Sequence, residues 1–157
     1  MNKHAQLMLE QFRAWNLPAD PQSMRDKILR LEGEMLKREQ VNIKTTHHFA
    51  PGIYAREIFI PKGTILTGKI HRLGHLNVLS LGDISVMTEH GIRRLIAPCT
   101  ILSSAGIKRV GYAHEDSIWT TFHANPTDEQ DLEKLESHFI VPSFDALESQ
   151  TVIEDIV

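Results

Sequence analysis

The chain has 157 residues, 41% of them apolar and 24% charged, with a formal net charge of -3 when histidine is neutral. That length accommodates one domain with a sizeable core, and the near-balanced charge argues against a disordered chain and a dedicated nucleic-acid binder. A single cysteine, Cys99, excludes an intramolecular disulfide framework and fits a reducing, cytoplasmic setting. No apolar run approaches the ~18 residues of a membrane span, and the first residues lack the apolar core of a signal peptide.

Charge divides the chain into three predicted regions. Residues 1–43 carry 7 Lys/Arg against 6 Asp/Glu and form a helical extension. Residues 44–125 carry 9 against 5 and form a β-barrel, and residues 126–157, with 1 against 9, form an acidic helical tail. In the lead, Ala5, Met8, Phe12 and Trp15 recur at helical spacing until Pro18. A second helix starts at the Asp20 cap with Pro21 at its first position. It presents Met24, Ile28, Leu31 and Met35 as one apolar stripe, for the domain or a second subunit.

From residue 44 the pattern shortens. Eight β-rich runs are expected at 53–60, 65–71, 76–81, 84–88, 92–97, 101–103, 107–112 and 118–123, each bounded by turn residues such as Pro61-Lys62-Gly63, Gly82-Asp83 and His90-Gly91. Short strands with no long helix between them predict a mainly β antiparallel sandwich or barrel. In the tail, Thr127 and Gln130 form a capping box for a helix through about His138.

Nine histidines are as many as the glycines. In a barrel every second side chain points inward. His71 ends one strand, His75 opens the next, and His123 closes the last on the face of Trp119 and Thr121. These three imidazoles, all at strand ends, are expected to meet at one barrel mouth, where they would suit a divalent transition metal such as Zn, Fe, Mn or Ni. Cys99 is expected to be a small, partly buried residue, and His4, His47, His48, His90 and His138 to be solvated or capping.

Two stretches resemble the paired motifs of the cupins: Pro61-Lys62-Gly63 with Gly68-Lys69-Ile70-His71, His75 and 78–83, then 96–101 with 104–109. The compact form with helical extensions also resembles small uncharacterised cupin-like proteins encoded by bacteriophages, which would place it in a host cytoplasm. The resemblance implies an antiparallel jelly-roll barrel holding a metal, and a homodimer or higher homo-oligomer built through sheet edges or the helical lead. His71 matches one histidine ligand of the family's first motif and His75 stands at its glutamate position. Lys69 and Arg109 stand where the other two histidines would be, and neither ligates while charged. His123 or His114 would then complete the site.

At those positions Lys69 and Arg109 either snorkel to the rim or line the barrel interior, where they require an anion: Glu57, or a small anionic ligand. Three functions follow. One is a metal-dependent enzyme of dioxygenase, isomerase or hydrolase type with a three-histidine site. Another is a metal-free module that sequesters an anionic metabolite or nucleotide. The third follows cupin epimerases, whose His base and Tyr acid work without metal, and would pair His71 with Tyr112.

Overall fold

The structure is a computed structural model and describes residues 20–148. The predicted helix over 5–15 lies outside the described residues. Helix α1 (Pro21–Leu36) starts where the sequence placed it, with the Asp20 side chain accepting from the Ser23 N–H. Eleven strands follow: β1 (Lys44–Ala50), β2 (Gly52–Ile60), β3 (Ile65–Thr67), β4 (Ile70–His71), β5 (His75–Leu81), β6 (Asp83–Thr88), β7 (Gly91–Ile96), β8 (Cys99–Ser103), β9 (Val110–Ala113), β10 (Ser117–Asn125) and β11 (Ile140–Val141). Helix α2 (Leu132–Phe139) precedes β11.

One sheet has the order β1-β2-β10-β5-β8 and the other β3-β9-β6-β7, with all pairs antiparallel. The two sheets enclose the core as a jelly-roll barrel with helices at both ends, the architecture the resemblance implies. Three local expectations are corrected. The run 65–71 breaks at Gly68 and Lys69, because β3 pairs with β9 whereas β4 pairs with β11. His47 and His48 lie within β1 rather than before the first strand. The helix expected from Thr127 begins at Leu132, because the Asp131 carboxylate, not Thr127, accepts from the Glu133 and Lys134 N–H groups.

Helix α1 spends its apolar stripe on its own barrel. Met24, Ile28 and Leu31 pack on Met87 of β6 and Val110 of β9, and each such burial stabilises by roughly 1.5–3 kcal/mol. Polar pairs hold the register: Lys108, buried, donates to Glu32 Oε1 at 2.6 Å, Thr67 Oγ1 donates to the same oxygen at 2.7 Å, and Arg25 Nη2 donates to Glu89 Oε1 at 3.2 Å. This stripe is therefore not open to a second subunit.

The inner face of the larger sheet is layered by its register. Trp119 lies between Ile58 and Leu79, and one step along, Thr121 lies between Arg56 and Asn77. A further step sets His123 opposite Tyr54, while inward alternation from Asn77 brings His75 to the same end of β5, opposite Ser103. Polarity thus falls from imidazoles, through a polar and cationic row, to an apolar floor of Ile58, Ile60, Leu79, Ile84 and Trp119. The outer face is apolar as well: Ile53, Phe59, Leu76, Leu81, Leu102 and Phe122 are exposed on neighbouring strands. Among the described residues no helix is long and apolar enough to cross a membrane.

Candidate metal centre

Three strands deliver the imidazoles. His71 comes from β4, His75 from the first position of β5 and His123 from β10. Their ring centroids stand 4.1 Å apart for His71–His75 and 5.1 Å for each of the other pairs. One ring nitrogen from each lies within 4.8 Å of the others. Nitrogens around a four-coordinate metal at ~2.0–2.1 Å sit about 3.3 Å apart, a closure within the reach of side-chain rotation.

Protonation and hydrogen bonding prepare these rings as ligands. The His71 Nδ1 is buried and, among the described residues, has no hydrogen-bond partner. Burial, then the neighbouring His75 and His123, push the His71 pKa down to about 3. Burial likewise brings His123 to about 4 and lowers His75. All three are neutral at physiological pH, as metal ligation requires. His75 Nδ1 lies 3.1 Å from the Leu73 carbonyl. A carbonyl only accepts, so Nδ1 carries the proton and Nε2 keeps its lone pair for the centre. Phe139 stacks on the His123 ring at 4.1 Å and Tyr54 lies on it at 6.1 Å, which fixes the ring plane.

The donor set fits a divalent transition metal. An orphaned, buried, neutral nitrogen on His71 gains a partner only when a metal or a donor enters. The all-imidazole set suits Zn, Fe and Ni, and suits Mn less, because Mn favours carboxylate oxygen. Among the described residues no carboxylate joins this group.

The cavity above the floor has a volume of about 620 Å³ and receives side chains from both edge strands, β1 and β3. Arg109 reaches into it from the segment before β9. Its Nη2 donates to Ser103 Oγ, and its guanidinium lies 5.9 Å from the Trp119 ring centroid. Ser103 Oγ also accepts from Asn77 Nδ2 at 2.7 Å, while Asn77 Oδ1 accepts from Trp119 Nε1 at 3.0 Å and Thr121 Oγ1 at 2.9 Å. This network is buried and sets where the guanidinium sits. Gly68 makes room: a Cβ there would meet the Arg109 Cγ at 3.1 Å.

The other sequence-derived candidates are dispersed. Lys69 lies at the rim, 60% exposed, and pairs with Glu136 of α2. Glu57 is on the outer face of β2, 3.7 Å from His48 Nε2, so it neutralises neither Lys69 nor Arg109. Strand alternation explains this, because Tyr54, Arg56 and Ile58 take the inward positions. Tyr112 also faces away. Gly111 and Ala113 are the inward residues of β9, while Val110 faces outward onto α1 and Tyr112 faces outward beside His114. The pairing of His71 with Tyr112 is therefore not formed. His114 is held edge-on to Tyr112 at 4.8 Å with its Nε2 2.7 Å from Ser85 Oγ, apart from the three imidazoles.

Four side chains at the site were not singled out from the sequence: Tyr54, Arg56, Asn77 and Phe139. Period-two alternation along 53–60 carried the signal for Tyr54 and Arg56. Tyr54 Oη sits 2.8 Å from His47 Nδ1, and burial raises its phenol above the usual value.

Fold and site together define a jelly-roll barrel with a three-imidazole centre. A scan against protein-family models finds no match, and a search of curated proteins finds none either. Solved structures similar to it include KdgF from Halomonas sp., at 17% identity over 60% of this chain and 90% of that one, TM-score 0.48. An RmlC-like cupin from Shewanella frigidimarina matches at 15% identity over 60% and 86%, TM-score 0.48. An acetylacetone dioxygenase from Acinetobacter johnsonii matches at 17% identity over 54% and 61%, TM-score 0.45. Several of these similar structures are cupins, the superfamily whose motifs this chain resembles. At such identities and scores, the roles of residues rest on this chain's own geometry.

Proposed function

We propose that this protein is a metal-dependent enzyme acting on a small anionic molecule, with the metal held by His71, His75 and His123. The observation that carries the reading is the convergence of three neutral imidazoles around the buried, unpartnered Nδ1 of His71. A divalent ion there supplies Lewis acidity and, with only three protein ligands, open positions for a substrate. The chain's own residues do the rest. Leu73 and Phe139 orient imidazoles, Arg109 binds negative charge, and Tyr54 holds a proton at Oη beside the centre. Dioxygenation, isomerisation and hydrolysis are all compatible with such a site.

The test is metal content. Protein purified without a histidine tag, equilibrated with Zn, Fe and Ni and then desalted, is expected to retain about one metal per chain by elemental mass spectrometry. A metal-free product would overturn the reading and leave the metal-free binding module, which the half-buried guanidinium of Arg109 in the cavity favours.

We also propose a homodimer built on the outer face of the five-stranded sheet. Strand spacing of ~4.8 Å and a rise of ~3.3 Å per residue give that face a footprint of roughly 600 Å². That approaches the ~800 Å² per partner of a standard interface. Sedimentation is expected to show a dimer at micromolar concentration, and Leu102→Glu with Phe122→Lys to give a monomer. A monomeric parent chain would refute this interface.

A further inference from the structure

We propose that the ligand is a small carboxylic acid with an apolar body, its carboxylate held between the imidazole end and Arg109 and its body laid against the apolar floor. The proposal rests on the functional reading above and gives its ligand a chemical class and an orientation.

Charge requires the anion. Arg109 lines the cavity interior, and the partner that fixes it, the Ser103 hydroxyl, is neutral. Arg56 lines the same cavity one layer below Tyr54. Among the described residues, no carboxylate within 4.0 Å pairs with either guanidinium. The two described carboxylates that line the cavity, Glu136 and Glu32, are occupied by Lys69 and Lys108. Arg56 remains exposed to solvent, but the guanidinium of Arg109 is partly withdrawn from water, which is costly with no counter-charge. Adding a divalent ion to three neutral imidazoles increases the positive charge without compensating it. A carboxylate resolves both, because it accepts two parallel N–H bonds from Arg and still presents an oxygen toward the imidazoles.

The layering argues for the apolar body. Below the imidazoles and the Arg56–Thr121–Asn77 row, Ile58 and Trp119 line the cavity, and across it stand Leu66, Ile84 and Val86 from the facing sheet. In the polar row Asn77 is engaged by Trp119, Thr121 and Ser103, and Arg56 stays exposed to solvent. A second charged head reaching the floor would lose its water and find no donors there. A hydrocarbon body loses nothing and buries apolar area. The cavity of about 620 Å³ lies within the range of small-molecule sites.

The test uses the full chain loaded with Co(II), whose visible absorption reports on the metal's surroundings, titrated with straight-chain carboxylates from formate to hexanoate. Affinity is expected to rise about fourfold per methylene, the yield of burying one CH2. Arg109→Gln is expected to weaken every member at least about tenfold, as loss of a charged hydrogen bond does, and Arg109→Lys to weaken them less. Circular dichroism and the Co(II) band report that both variants fold and load. Affinity independent of chain length, succinate binding more tightly than butyrate, or Arg109→Gln binding like the parent would overturn the proposal. If the parent chain shows no Co(II) band, the metal reading fails on its own, and the same series is followed by thermal shift on the metal-free chain. Stabilisation that grows with chain length and is lost in Arg109→Gln then upholds the ligand class, and no stabilisation overturns it.

Discussion

His71→Ala is expected to lower the affinity for Zn by more than about 100-fold without unfolding the barrel. Loss of a mere outer-shell partner of a ligand costs roughly 10–100-fold in affinity, and removal of one of three ligands exceeds that. The fold survives for a specific reason: the His71 Nδ1 has no hydrogen-bond partner, so truncation leaves no protein donor or acceptor stranded at that atom. β4 is held by its backbone pairing with β11 and by the Gly106 N–H, which donates to the His71 carbonyl at 2.9 Å. Competition against a chromophoric chelator at neutral pH measures the affinity, and circular dichroism verifies the fold. His114→Ala is the control, since His114 lies beside Tyr112 and Ser85 outside the barrel interior. Undiminished affinity in His71→Ala, or an equal loss in His114→Ala, would remove His71 from the ligand set.

That contrast separates what the sequence could carry from what it could not. Turn residues and apolar runs placed most of the strands, because local chemistry decides them: Gly82, at φ +100°, turns β5 into β6 where a Cβ would meet the Asp116 carbonyl at 2.6 Å. His123 was legible as inward because Thr121 and Trp119 share its face two and four residues back. His71 and His75 stood at adjoining strand ends, where a short turn keeps them together.

Non-local pairing hid the rest. β1 was not foreseen because Lys44–Ala50 is polar and half exposed, and β2 alone, its partner, makes it a strand. Phe139 reaches His123 only because β11 pairs with β4 and carries the end of α2 to the mouth. Glu57 and Tyr112 failed as site residues for one shared reason. Each sits one residue from an inward position, and a shift by one residue on a strand changes the face. Charge alone brought Glu57 forward, and the resemblance to metal-free cupin epimerases brought Tyr112 forward, whereas period two along each strand separates both from the cavity.

The neutral imidazoles make the metal-free protein acid-sensitive in a defined window. In the unfolded chain a histidine titrates near 6.5. In the fold His71 is pushed down to about 3 and His123 to about 4, chiefly by burial and then by neighbouring imidazoles. Above pH 6.5 both states are neutral at these positions and the shifts contribute nothing. Below it the unfolded chain takes up protons that the native state refuses, so stability falls as pH falls, by about 1.4 kcal/mol per pH unit for each imidazole. At pH 5 the loss is about 2 kcal/mol from each, roughly 4 kcal/mol together, a large part of the 5–15 kcal/mol that holds a typical domain. His75 and His47, lowered by burial as well, act in the same direction. The carboxylates held below their usual range, Asp83 by Arg94 and Glu129 by the Asp131 N–H, lose their contribution only at still lower pH. Urea unfolding of the metal-free chain at pH 7.5 and pH 5.0 is expected to show this drop, and the double variant His71→Gln, His123→Gln to lose most of it. An equal drop in the double variant would place the acid sensitivity elsewhere. In the metal-loaded chain the same nitrogens are occupied, and protons must displace the metal before they reach the rings, so the loaded protein is expected to hold its stability to lower pH and then lose metal and fold together.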